Sequence, residues 1–137
     1  MSDFKDLIAK QREKLETVQE STLDVEFGGE MVTVGVSKVM PEVWDDLIGR
    51  CPPRQGREDD AQVGYNPKAL TALYPEVTVD GEKIDPKDWA AGFAIMDPAF
   101  RNNIELTIWG VNINESLQAL RKLGKARAGR KSPSPAN

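Results

Sequence analysis

Residues 41–66, PEVWDDLIGRCPPRQGREDDAQVGYN, decide how this chain folds, because a short amphipathic helix there runs straight into a charged stretch with almost nothing to bury. Pro41 suits the first turn of a helix, where its missing N–H costs nothing. Val43, Trp44, Leu47 and Ile48 then recur at three- and four-residue spacing on one face. Gly49 permits a left-handed cap, and Pro52-Pro53 forbids continuation, so the chain must leave in an extended conformation. Arg54, Arg57, Glu58, Asp59 and Asp60 follow with hardly an apolar residue among them, which predicts an exposed loop.

Upstream, Thr22–Phe27 alternates apolar and polar residues, Gly28-Gly29 supplies a turn, and Met31–Val36 is rich in β-branched residues. This is the pattern of a β-hairpin. A lone two-stranded ribbon is marginal in water, so its apolar face must lie against helices or a further strand. The helix at 41–50 is the first candidate to cover it, with Trp44 buried where the two cross.

Downstream, Asn66 precedes Pro67 and a two-turn helix that stops before Pro75. Residues 76–84, with Asp80-Gly81 at their centre, fit a second small hairpin. Asp85-Pro86 opens a helix bearing Trp89, Phe93 and Ile95 or Met96; Asp97-Pro98 opens another bearing Phe100, Ile104, Ile108 and Trp109. Ile104–Ile108 also alternates like a strand, but its place behind a helix cap favours helix. Asn114 would cap a last helix carrying Leu117, Leu120 and Leu123. The fold class expected is therefore α+β: a mostly helical domain with an N-terminal β-hairpin and room for a second.

Both ends differ from this body. Ser2 or Asp3 can cap an amphipathic helix within residues 1–20, whose apolar positions Phe4, Leu7, Ile8, Leu15 and Val18 form one narrow stripe. Docking of that stripe on its own domain is the favoured reading, and a free arm that binds another chain is the alternative. Residues 21–124 make the compact domain. Residues 125–137 lack apolar periodicity and are rich in Gly, Pro, Ser and charge, which predicts a disordered basic tail.

At 137 residues the chain can bury a core without metals or disulfides. With one cysteine, Cys51, and no histidine, an internal disulfide, a Ser-His-Asp triad and a histidine metal cage are excluded. No apolar run approaches a membrane span, so a cytoplasmic protein is expected. The net charge of −4 conceals an asymmetry: six basic residues and no acid lie from Arg121 onward, leaving 12 basic against 22 acidic residues before it.

Candidate chemistry is thin. Asp45-Asp46 on a helix diverge by about 100° and do not converge on a ligand. Glu58-Asp59-Asp60 reads as a solvated loop cluster, Cys51 has no activating partner, and no glycine-rich phosphate loop is present. The tryptophans read as core. No catalytic, metal or cofactor site is expected, and the protein reads as a non-enzyme.

The order of VEFGGEMVTVGV, PEVWDDLIG, CPPR, an acidic spacer, GYN and helices ending in LGKA resembles the tail assembly chaperones of long-tailed bacteriophages, especially those infecting actinobacteria, over roughly residues 22–126. Many members have His-Pro-Pro-Arg where this chain has Cys51-Pro52-Pro53-Arg54. The resemblance implies a host-cytoplasmic protein, absent from the mature virion, that binds the tape measure protein and tail tube subunits until the tail polymerises. It also implies a longer form made by ribosomal frameshifting, with which Gly124-Lys125, encodable as GGG-AAA, is compatible. Partner contacts would then fall on the stripe (Phe4, Leu7, Ile8, Leu15), the loop (Pro52, Pro53, Arg54) and the tail (Lys125, Arg127, Arg130, Lys131). The rivals are a virion component such as a tail terminator or connector, and a nucleic-acid-binding accessory protein that sets its basic tail on phosphates. Against the latter, the body is acidic and the tail has no aromatic residue to stack on bases.

Overall fold

The computed structural model describes residues 3–17, 19–114, 118 and 120–124. The elements, in order, are α1 (Phe4–Glu16), β1 (Glu20–Phe27), β2 (Glu30–Ser37), α2 (Pro41–Arg50), α3 (Glu58–Val63), α4 (Pro67–Leu73), β3 (Val77–Val79), β4 (Glu82–Lys83), α5 (Pro86–Ile95) and α6 (Pro98–Trp109). A π-helical turn, Gly110–Asn114, follows α6. The fold is α+β, with an N-terminal hairpin, as expected.

The two hairpins join into one antiparallel sheet ordered β1-β2-β3-β4. Val25 faces Val32, Leu23 faces Val34, and Val34 and Val36 in turn face Val79 and Val77. One face is therefore a contiguous valine-rich layer, which solves the marginal stability of an isolated ribbon. The other face is polar, carrying Glu20, Asp24 and Thr33, with Thr33 Oγ1 donating to Asp24. Both turns have the positive φ that tight hairpins demand, Gly28-Gly29 at 64° and 82° and Asp80-Gly81 at 50° and 85°. At Gly35 a side chain would collide with Thr78, whose hydroxyl reaches across to Glu20.

The helices pack on the valine face, but not in the order the sequence suggested. It is α6 that lies across β1 and β2, while α2 packs on α4, and α4 also meets α5 and α6. Helix α6 can take that place because Ile104 and Ile108 lie one turn apart and are both fully buried. The stretch 104–108 is helical, not a strand. In α5, Trp89 and Phe93 go inward, and Met96 rather than Ile95 completes the apolar face, Ile95 being 78% exposed. Asp85, Asp97 and Asn66 each cap the helix that follows through a side-chain oxygen.

One further expectation needs correction, and one is met in part. Asn114 lies within the π-helical turn instead of capping a new helix. Residues 118 and 120–124 are helical, but Leu120 and Leu123 are exposed, and Leu117 and the tail lie outside the described residues.

The π-helical turn has a clear physical use. Its wider winding brings Asn112 into the core, where Oδ1 accepts from Val39 N–H at 3.1 Å and Nδ2 donates to Tyr74 Oη at 2.8 Å and Ile108 O at 2.9 Å. Tyr74 Oη donates in turn to Ser37 O. Burial pushes the Tyr74 phenol up, out of reach of physiological titration. One side chain thus ties the end of α6 to the exits of β2 and α4. Among the described residues no buried side-chain nitrogen or oxygen lacks a partner.

Candidate functional site

Of the stretch expected to be an irregular exposed loop, residues 55–59 are exposed, but Glu58 onward is helical and the segment is clamped at Arg54 and Asp60. Pro52 and Pro53 are exposed, but Arg54 turns inward and meets the carboxylate of Asp60, which is 1% exposed. Arg54 N–H, Nε and Nη2 donate to the two Asp60 oxygens at 2.8, 2.9 and 3.0 Å, a two-pronged charged pair reinforced by a backbone bond. Composition misled here, because a charged residue counts as surface until its partner is known. With Asp60 held, Glu58–Val63 forms α3, which Gly64 ends in a left-handed conformation.

The segments on either side of this clamp are also tied to each other. The Trp44 and Tyr65 rings pack edge to face with centroids 5.5 Å apart. Asn66 N–H donates to Cys51 O at 2.9 Å, and the Asn66 side chain caps α4. Cys51 is buried and its thiol is pushed up by that burial, so it is inert. Arg54, expected on a partner-binding loop, is therefore engaged within its own chain.

The Arg54 side chain hydrogen-bonds to Asp60 and holds its carboxyl down at about 2, against an ordinary 3.8. A depressed folded-state value adds stability that is complete above about pH 4 and is lost as pH falls through about 2. Denaturant midpoints of the wild type should therefore fall over that window. In Asp60→Asn the midpoint should be lower at neutral pH and its decline from pH 4 to 2 shallower. An unchanged profile would show the pair to be energetically idle.

Beside the clamp, α3 and α6 enclose an open groove of about 520 Å³. One wall is α6 itself: Asn102, Glu105, Leu106 and Trp109 are spaced i, i+3, i+4 and i+7, a second stripe distinct from the Ile104/Ile108 stripe. The other wall carries Asp59 and Val63, with Tyr65 and Pro67 between them. Leu106 is 66% exposed, and Val63 is exposed as well. Glu105, half-buried, has its carboxyl raised by desolvation, against the opposing pull of Arg101, Arg54 and Lys68. The Tyr65 phenol is pushed up to about 12, mainly by burial and also by the Glu105 charge. Trp109 packs in part against the core, as its place on an apolar face suggested, but it also lines this groove, which sequence reading missed. The available signal was Leu106, an apolar residue out of phase with 104 and 108.

The N-terminal stripe also departs from the favoured expectation. Helix α1, capped by Asp3 through its bond from Asp6 N–H, has no buried residue. Phe4, Leu7 and Ile8 are 74%, 49% and 38% exposed, and Leu15 is partly covered. The stripe does not dock on the body of its own chain. Val18 and the tail candidates Lys125, Arg127, Arg130 and Lys131 lie outside the described residues.

Among the described residues no group of three acids or cysteines could hold a metal ion, and no helix is long and apolar enough to cross a membrane. No family model, curated protein or solved structure matches the chain.

Proposed function

We propose that this protein is a phage tail assembly chaperone, which binds amphipathic helices of the tape measure protein through the apolar stripe of α1 and keeps them soluble until the tail polymerises. The observation that carries the reading is α1 itself: a 13-residue helix with its apolar stripe turned to solvent. Exposed apolar residues that share one helical face are a cost to a monomer unless a partner covers them. An amphipathic client helix is the natural cover, by side-by-side packing of two apolar stripes. The resemblance over residues 22–126 supplies the client's identity. The tail tube subunit and a frameshifted longer form of the chain are further partners under the same reading. No step in this function needs a catalytic group or a cofactor, and its place is the host cytoplasm rather than the virion.

Co-expression with the tape measure protein of the same genome is expected to raise that protein's solubility, and the two should co-purify at moderate salt, since apolar contacts are not screened. A tape measure protein that stays insoluble, with the chain instead binding DNA in a manner that falls steeply with salt, would replace this reading by the nucleic-acid rival.

A further inference from the structure

The chain carries two apolar surfaces of matching form, one open to solvent over most of its length on α1 and the other open at Leu106 and Val63 in the groove. Phe4, Leu7 and Ile8 are exposed on α1 at i, i+3 and i+4; Leu106 and Trp109 line the groove between α3 and α6, on a stripe of the same helical spacing. Their charges are complementary. Lys10, Arg12 and Lys14 border the α1 stripe, and the groove is edged by Asp59 and Glu105. In its own chain no α1 residue is buried and none lines the groove.

We propose that α1 of one copy seats in the α3–α6 groove of a second copy, and the reverse, giving a symmetric arm-exchanged dimer in the absence of client. Two equivalent contacts related by a twofold axis close the assembly and leave no open end to polymerise. Seating the stripe over Leu106 and Trp109 removes both apolar surfaces from water at once and sets the α1 cations against Asp59 and Glu105. A cation drawn beside Glu105 also offsets the desolvation that raises its carboxyl. The dimer goes beyond the chaperone reading and does not depend on it, because it is measured with no client present. If the chaperone reading holds as well, client and groove compete for the same arm.

The test uses the full chain alone. Light scattering behind size exclusion is expected to give twice the 15.2 kDa chain mass, dissociating on dilution. Leu7→Glu and Leu106→Glu should each give a folded monomer that melts where wild type diluted to its own monomer melts, since both side chains are solvent-exposed in the single chain. Mixing a Leu7→Cys chain with a Leu106→Cys chain under mild oxidation should trap a linked heterodimer. A chain monomeric at every concentration would overturn the proposal. So would a dimer that survives Leu106→Glu, or a Leu7→Cys/Leu106→Cys double variant that links only within one chain.

Discussion

Truncation of Trp44 to alanine is expected to lower the unfolding free energy by about 3–5 kcal/mol, the range of other large core truncations. The ring is 8% exposed and stands edge-on to Tyr65, so the substitution removes both a large buried area and an aromatic pair. It would also loosen the segment that α2 and α4 bracket, because Tyr65 sits directly before the Asn66 cap. The check is a urea midpoint compared with Leu106→Ala, which removes an exposed side chain and should shift it by no more than about 0.5 kcal/mol equivalent. An unchanged Trp44→Ala midpoint would mean that the ring contributes to a surface and not to the core.

Asn112→Ala should cost about 2–4 kcal/mol, since it leaves a buried donor unpaired and opens a small void. Val39 N–H loses its acceptor, and Tyr74 Oη and Ile108 O lose their shared donor. Asn112→Asp is a sharper probe. It keeps the acceptor for Val39 but, once ionised, gives up both donors, and burial would raise its carboxyl, so this variant should lose further stability as pH rises from the ordinary carboxylate range through that raised value. Chemical denaturation of both variants at pH 4 and 7 measures this; equal losses at the two pH values for Asn112→Asp would contradict the buried-hub account.

Local chemistry made much of the fold legible. The Asp-Pro and Asn-Pro caps place α4, α5 and α6, and Gly28-Gly29 and Asp80-Gly81 place the hairpins, because these signals act over three or four residues. Pairwise partnerships outside the three- or four-residue spacings were not legible. Nothing local in Arg54 or Asp60 says that they will find each other, so a clamped helix read as a loop. For the same reason α2 was assigned to cover the hairpin, a place taken by α6, whose Ile104 and Ile108 make the longer buried ridge. The π-helical turn was hidden as well, since its effect is to rephase α6 so that Asn112 reaches Val39, a contact 73 residues away in sequence. At the site, the α1 stripe was visible from spacing alone, whereas the groove requires the knowledge that Leu106 turns to solvent and that Trp109, packed in part on the core, also lines the groove.

The most direct test of the central claim, that the α1 stripe binds client helices, is titration of a labelled amphipathic tape measure peptide against three full-length chains: wild type, Leu7→Glu and Leu106→Glu. Leu7→Glu should weaken binding at least about tenfold, or 1.4 kcal/mol, with the body still folded. Leu106→Glu should bind at least as well as wild type, because it frees α1 from any groove without altering its stripe. Wild-type affinity in Leu7→Glu would contradict the account, and a loss confined to Leu106→Glu would move the client from the arm to the groove.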